Sequence, residues 1–339
     1  MKFIELFSGI GGIGYGLMKS GFECVGFCEI DKYAHDSYNL IHNENKTMWE
    51  GWDVKDVKDE EIRNIETEKG KIQLIAAGFP CQSFSIAGKR RGFEDTRGTL
   101  IYEVFRFASI LKPQILLLEN VRGLLTHDKG KTFGIILSAM DNLGYDAEWQ
   151  VLNSKNFGVP QNRERVFIIG HLRESSGRKI FPFTGENENF SRYIGSMNKQ
   201  NKFLSVYGVL DKEGICTTLT TMQGGNRQPK IIVKEATKLG YSIAQEGDSI
   251  NISQPNSKTR RGRVGKGIAN TLETTCNQAI YKEYRVRKLT PLECFRLQSF
   301  PDDWYFKLKK NGISDSQLYK MSGNAVTSNV ACAIGSELK

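Results

Sequence analysis

Phe3-Ile4-Glu5-Leu6-Phe7-Ser8-Gly9-Ile10-Gly11-Gly12-Ile13-Gly14 stands almost at the start of the chain. Five mostly apolar residues suited to a buried strand run into a glycine-rich turn, and helical spacing then continues to about Gly21. Glycines in such a turn let the backbone bend tightly and approach a ligand, while a helix N-terminus offers free N–H groups. A second strand, Cys24-Val25-Gly26-Phe27-Cys28, ends at Glu29, 18 residues past Gly11. A carboxylate there is placed to accept hydrogen bonds from ribose hydroxyls. Together these features predict a nucleotide-type cofactor site, and they fit a nicotinamide dehydrogenase as well as a methyltransferase.

Working outward, further strands are expected at Ile72 to Ala77, Ile115 to Leu118 and Val166 to Ile169. Leu100 to Leu111 has clear helical spacing and is closed by Pro113. The alternation predicts an α/β sheet wound with helices on both faces. Beyond His171 the rhythm fades into a stretch rich in Asn, Gly, Lys and Thr, with short β-leaning pieces. Gly214–Thr221 and Gly267–Thr275 echo each other, but one echo makes no repeat array. A helical pattern returns after Arg285, over Pro291 to Gln298 and then Gln317 to Leu338. The expected organisation is a discontinuous α/β domain, 1–172 plus 285–339, carrying a smaller β-rich domain at 173–284.

The 339 residues carry a net charge of +9, with 47 Lys and Arg against 38 Asp and Glu. Residues 173–284 hold 17 of the basic and 10 of the acidic side chains, so most of the excess sits in the inserted stretch; by itself this fits a solvated surface, and beside the other signals it favours a polyanionic partner. The seven cysteines form no metal or disulfide framework, so reduced thiols and no metal site are expected. No signal-peptide core and no membrane-length apolar run is found, which predicts a cytoplasmic protein without membrane contact.

One cysteine differs from the rest. Gly78-Phe79-Pro80-Cys81-Gln82-Ser83-Phe84-Ser85 follows directly on the strand Ile72 to Ala77, at the strand end where open α/β sheets bind ligands. Pro80 stiffens the approach, and Gly88-Lys89-Arg90-Arg91-Gly92 brings positive charge that lowers a thiol pKa. Cys24, Cys28, Cys216, Cys276, Cys294 and Cys332 lie in strand-like or helical patterns and are expected to pack.

Gly-Phe-Pro-Cys-Gln-Ser-Phe-Ser resembles the nucleophile motif of the DNA cytosine-5 methyltransferase family. Its other motifs follow in order: Phe7 to Gly12 resembles the cofactor loop, Glu119-Asn120-Val121 the acidic motif, and Gln161-Asn162-Arg163-Glu164-Arg165 the arginine motif. Arg287 to Gln298 and Gly323-Asn324-Ala325-Val326 resemble the two C-terminal motifs. The match covers 1–171 and 285–339, and the ordered set is far more specific than any one motif. It implies an S-adenosylmethionine-dependent methyltransferase (Rossmann-like) sheet, with a smaller β-rich target-recognition domain and double-stranded DNA as partner.

The chemistry agrees with the residue types. C5 of cytosine is a poor nucleophile, and addition of a thiolate to C6 makes it enamine-like. Cys81 is the candidate thiolate, and Glu119, at the end of an apolar strand, holds the family position for support at N3. It can act as a protonated donor if burial raises its pKa. Arg163 and Arg165 alternate in a strand-like geometry and share a face; the resemblance implies that Arg165 holds O2 and Arg163 supports the thiol environment, with a salt-bridged loop a rival role for Arg163. It further implies cofactor contacts from Gly9, Gly11, Gly12, Ile30 and Pro80, packing of Phe7 on adenine, ribose binding by Glu29, and the methionine end at Asn324. The resemblance also implies that Asp53 reaches the adenine amino group, with Asp56, which stands in a similar run three residues later, as the alternative. Candidate DNA contacts are Gln82, Ser85, Lys89, Arg90 and Arg91 in a loop expected to close over DNA, and Gln223, Asn226, Arg227, Arg261 and Arg263 in the inserted stretch. The target base must be flipped out of the duplex.

Three alternatives compete: an RNA cytosine-5 methyltransferase, whose relatives more often carry Pro-Pro-Cys, a nicotinamide oxidoreductase, and a non-catalytic DNA-binding module. The start of the chain close to the cofactor loop suggests a compact, monomeric bacterial or phage modification enzyme, with a cognate restriction endonuclease as a possible counterpart.

Overall fold

The computed structural model describes residues 1–80, 100–173, 179–183, 209–210, 230–253, 257, 259–274, 278–282 and 285–339. Cys81, Gln82, Ser85, Lys89, Arg90, Arg91, Gln223, Asn226 and Arg227 lie outside the described residues.

The chain begins with β1 (Lys2–Leu6), α1 (Gly12–Lys19), β2 (Glu23–Cys28), α2 (Lys32–His42), β3 (Trp49–Gly51), α3 (Asp59–Lys69) and β4 (Leu74–Gly78). It continues through α4 (Leu100–Leu111), β5 (Ile115–Val121), α5 (Lys131–Asn142), β6 (Tyr145–Asn153), β7 (Gln161–Asn162) and β8 (Glu164–Leu172). A seven-stranded sheet runs in the order β3-β2-β1-β4-β5-β8-β6. The first five strands are parallel, while β8 is antiparallel to both β5 and β6. Strand order reverses beside β1, which leaves a crevice at the carboxyl ends of the strands.

Successive side chains of a strand point to opposite faces, so each strand feeds two cores. Ile4 and Leu6 join Ile62, Ile65, Val104, Phe107, Ile136 and Met140 beneath α3, α4 and α5. Phe3 joins Leu17, Tyr38, Leu74, Leu117, Val330 and Ile334 on the other face. Each fully buried side chain of this kind contributes roughly 1.5–3 kcal/mol. Helix α4 takes the bounds the sequence predicts because Ile101, Val104, Phe105, Phe107, Ala108 and Leu111 form one apolar face.

Short strands follow: β9 (Val209–Leu210), β10 (Lys230–Lys234), β11 (Tyr241–Ala244), β12 (Ser249–Asn251), β13 (Val264–Gly265), β14 (Ala269–Asn270), β15 (Gln278–Lys282) and β16 (Arg285–Lys288). They form a three-stranded sheet β11-β10-β9 and a four-stranded sheet β13-β12-β15-β16, while β14 pairs with β7. Arg285–Lys288, which the sequence reading assigned to the returning α/β body, therefore pairs with β15 in the smaller sheet.

The chain closes with α6 (Pro291–Arg296), α7 (Asp302–Lys310), α8 (Asp315–Asn324) and α9 (Ser328–Glu337). A capping box of Thr290 and Glu293, with Pro291 in the first turn, starts α6. The helical pattern from Gln317 to Leu338 is two helices, because Ala325 and Thr327, the residue just before α9, are both extended. Gln298, fully buried, bridges the break: its side-chain oxygen accepts from the Thr327 hydroxyl at 2.7 Å, and its amide donates to the Ser322 carbonyl at 2.7 Å. Helix α9 then lies on α1 so closely that a Cβ at Gly16 would sit 2.4 Å from the Ser328 carbonyl oxygen.

Candidate active site

A cavity of about 660 Å³ opens at the carboxyl ends of β1 to β5, a volume in the usual range of small-molecule sites. Its floor is the glycine turn. Phe7 and Gly9 have φ of 55° and Gly11 has 87°; for a bulky residue such as Phe7 this left-handed backbone is an outlier that marks a constrained segment. A Cβ at Gly12 would lie 2.5 Å from the Val326 carbonyl oxygen, and one at Gly11 would lie 2.5 Å from Nε2 of His42. Both glycines are fixed by close approach.

Glu29 turns back over the glycine turn from the end of β2. One carboxylate oxygen accepts from the Gly9 N–H at 2.8 Å and the other from the Asp31 N–H at 2.7 Å. Burial raises its pKa, and these backbone donors partly offset the rise. Each oxygen keeps acceptor capacity on the cavity side. Ile30, 63% exposed, and Trp52, 49% exposed, add apolar surface at the cavity mouth. Trp52 is held by His35, ring stacked on ring at 3.7 Å. Asp53 lines the cavity, whereas Asp56 is exposed and outside its lining. The opposite wall is the end of α8, with Lys320, Gly323, Asn324 and Ala325. Ser8 contributes a buried hydroxyl with no partner among the described residues. Diol acceptors, an apolar slot and a polar far end match a nucleoside attached to an amino acid, so the residues present fit S-adenosylmethionine.

The chemical end lies beside β4 and β5. Their register pairs Gly78 with Glu119, and the Glu119 carboxylate is buried against Arg165, 3.2 Å from Oε1 to Nε. Burial raises the Glu119 pKa, against the opposing pull of Arg165 and then Arg163. Asn120 donates to the Phe79 carbonyl at 2.7 Å and so fixes the backbone two residues before Cys81. Pro80 reaches the cavity lining beside it. Because β8 runs antiparallel, its first residues arrive at the same edge, and Arg163 and Arg165 both line the cavity.

The structure thus brings together Phe7, Gly9, Gly12, Glu29, Ile30, Asp53, Pro80, Glu119, Arg163, Arg165 and Asn324. Gly11 is outside that lining. It redirects two expectations. Arg163 donates to the carbonyls of Leu272, Gly323 and Ala325, so the salt-bridged loop does not describe it. Arg263 is 5% exposed and its Nε donates to the Asn251 carbonyl at 3.1 Å, so it shapes its loop rather than reaching a DNA groove; Arg261 beside it is exposed. Sequence reasoning missed Ser8, Trp52, Asn120 and Lys320. Of these, Ser8 and Asn120 had a local signal, Ser8 inside the Phe7 to Gly12 loop and Asn120 directly after Glu119. Among the described residues no His, Cys, Asp and Glu group is arranged to hold a metal ion, and no helix is long and apolar enough to cross a membrane.

Comparison with known proteins agrees with this geometry. The family model described as C-5 cytosine-specific DNA methylase matches residues 1–339. The type II methyltransferase M.NlaX of Neisseria lactamica is 33% identical, covering 100% of this chain and 96% of that protein. The orphan methyltransferase M.SPRI of Bacillus phage SPR is 31% identical, covering 100% and 97%. Among solved structures, a prophage-encoded E. coli protein superposes with a TM-score of 0.64 at 21% identity, over 100% of this chain and 98% of that one, which supports the fold.

Proposed function

The chain belongs to the C-5 cytosine-specific DNA methylase family, and from that premise we propose that it methylates C5 of a flipped-out cytosine within a short specific sequence of duplex DNA, through a covalent adduct between Cys81 and C6. The observation that carries this reading is the buried Glu119–Arg165 pair, facing the same cavity as the nucleoside-type pocket and joined through Asn120 to the strand end that leads into Cys81.

Glu29, the glycine turn and the Asn324 wall would hold S-adenosylmethionine, which would supply an electrophilic methyl group on a sulfonium. The chain's own groups prepare the base. Attack of the Cys81 thiolate forms the S–C6 bond and pushes an electron pair into the ring, leaving C5 nucleophilic. Protonated Glu119 donates at N3, and the Arg165 guanidinium stabilises the charge gathering on the O2 side. C5 would take the methyl group as the methyl–sulfonium bond breaks, its electron pair going to the sulfur of the departing S-adenosylhomocysteine. Loss of the C5 proton to a base then re-forms the C5–C6 double bond, breaks the S–C6 bond and releases the Cys81 thiolate, and the N3 proton returns to Glu119. Extrusion of the base costs roughly a few kcal/mol of stacking. The inserted segment 173–284, with its positive excess, serves target recognition, and phosphate contacts supply most of its affinity.

The test is base-resolution 5-methylcytosine sequencing of unmethylated duplex DNA after incubation with the protein and S-adenosylmethionine, with Cys81→Ala as control. Methylation confined to one short recurring sequence is expected. Transfer only to tRNA would assign the RNA reading instead, and full activity of Cys81→Ala would refute the covalent mechanism.

A further inference from the structure

Arg163 carries its guanidinium away from the surface, with 3% of the residue exposed. Nη2 donates to the carbonyls of Gly323 at 3.1 Å and Ala325 at 2.7 Å, on either side of Asn324. Nη1 donates to the Leu272 carbonyl at 3.4 Å. The Gly323 carbonyl belongs to the last turn of α8, where the helix has no internal donors left and the partial charge is negative. A planar cation with several fixed donors suits that place better than a single ammonium.

A second contact points the same way. A Cβ at Gly323 would lie 2.6 Å from the Glu273 carbonyl group and 2.8 Å from the Thr274 nitrogen, so the end of α8 is pressed directly onto the strap 269–274. That strap starts as β14, paired with β7. Gln161 accepts from the Leu272 N–H at 3.3 Å, and the Thr271 hydroxyl donates to the Asn162 carbonyl at 3.0 Å. Three stretches far apart in sequence therefore meet at one guanidinium, and one of them is the cofactor wall.

We propose that Arg163 is a positioning residue that clamps the Gly323–Ala325 wall of the cofactor cavity to the strap of the inserted segment, and that it does not act on the reacting base or the thiol. The Arg165 guanidinium meets the Glu119 carboxylate directly, whereas both terminal nitrogens of Arg163 go to backbone carbonyls and its charge opposes the Glu119 rise less than that of Arg165. The inference deepens the methyltransferase reading and rests on it for the kinetic part of its test.

The experiment compares Arg163→Lys and Arg163→Met with the unaltered chain in three measurements: binding of S-adenosylhomocysteine by calorimetry, kcat against KM for S-adenosylmethionine, and the pH profile of kcat. The clamp predicts a dissociation constant and a KM raised by roughly tenfold or more, kcat within about threefold, a milder effect for Lys than for Met, and an unchanged pH profile for Arg163→Lys, which keeps the charge that opposes the raised Glu119 pKa. A fall in kcat of about a hundredfold with cofactor affinity unchanged, or a pH profile displaced in Arg163→Lys, would overturn it. Should the Arg163 variants fail to fold, Gly323→Ala displaces the same wall without touching the guanidinium and must show the same KM-selective loss; unchanged cofactor affinity in that variant overturns the clamp. Absence of methyl transfer by the unaltered chain would count against the proposed function alone, because the binding comparison still decides the clamp.

Discussion

Nε of Arg165 lies 3.2 Å from Oε1 of Glu119, with both side chains mostly withdrawn from water. Burial holds the Glu119 carboxyl above the usual carboxylate range, and the Arg165 charge is the strongest force opposing that rise. A step that needs protonated Glu119 therefore runs fully below its raised pKa and fades as pH climbs through it. Glu119→Gln keeps the shape but cannot give up a proton, and should lower kcat by roughly 10²–10⁴-fold while cofactor binding stays unchanged. Arg165→Met should move the basic limb of the kcat profile to higher pH, because the opposing charge is gone. A limb that stays in place in that variant would assign it to another group.

Gly12→Ala should weaken cofactor binding by at least roughly tenfold, about 1.4 kcal/mol. The new methyl would meet the Val326 backbone from 2.5 Å, and neither the turn nor the α8–α9 connection can yield without moving the cavity wall. Calorimetry with S-adenosylhomocysteine measures it, and unchanged affinity would show that the turn has slack.

Lys320 and Asp31 form an ion pair across the cavity mouth, joining α8 to the cap of α2. Exposed pairs of this kind are worth at most about 1 kcal/mol, so Lys320→Gln should accelerate cofactor dissociation by no more than about fivefold. Raising salt should speed release from the unaltered chain more than from the variant. Equal salt sensitivity of the two in stopped-flow measurements would remove the pair from any gating role.

Glu5 makes stability depend on pH in a definite direction. Burial pushes its carboxyl up from 4.5 to about 8, against hydrogen bonds from the Gly14 N–H and the Tyr38 hydroxyl. The folded state thus holds the proton more tightly than the unfolded one. The contribution is full below pH 4.5 and is lost as pH rises towards about 8, at roughly 1.4 kcal/mol per pH unit. Thermal unfolding between these limits should show a falling Tm, and Glu5→Gln should flatten the slope. An equal slope in the variant would place the titration elsewhere.

Much of the cofactor side was legible before any coordinates. The strand into Phe7, the turn at Gly9 to Gly12, the acid at Glu29 and the helix Leu100–Leu111 are written in neighbouring residues, and the cavity gathers nearly all of them. The helix break before Thr327 was not legible, and the side chain that bridges it, Gln298, lies 29 positions away. Arg263 looked like a basic reader in a polar run, yet its backbone N–H is held by Glu235 at 2.6 Å, and the loop turns the residue inward.

The sequence by itself determined the chemistry: an ordered set of motifs, a cofactor turn and the residue types of a methyl-transfer site. It did so because strand and helix periods, glycine turns and catalytic motifs are local. Only the tertiary structure decided what those residues touch. Arg163 reads as one more arginine beside Arg165, but its partners lie 109, 160 and 162 positions away. A buried cation takes its role from the carbonyls that surround it, and no local pattern records which carbonyls the fold will bring.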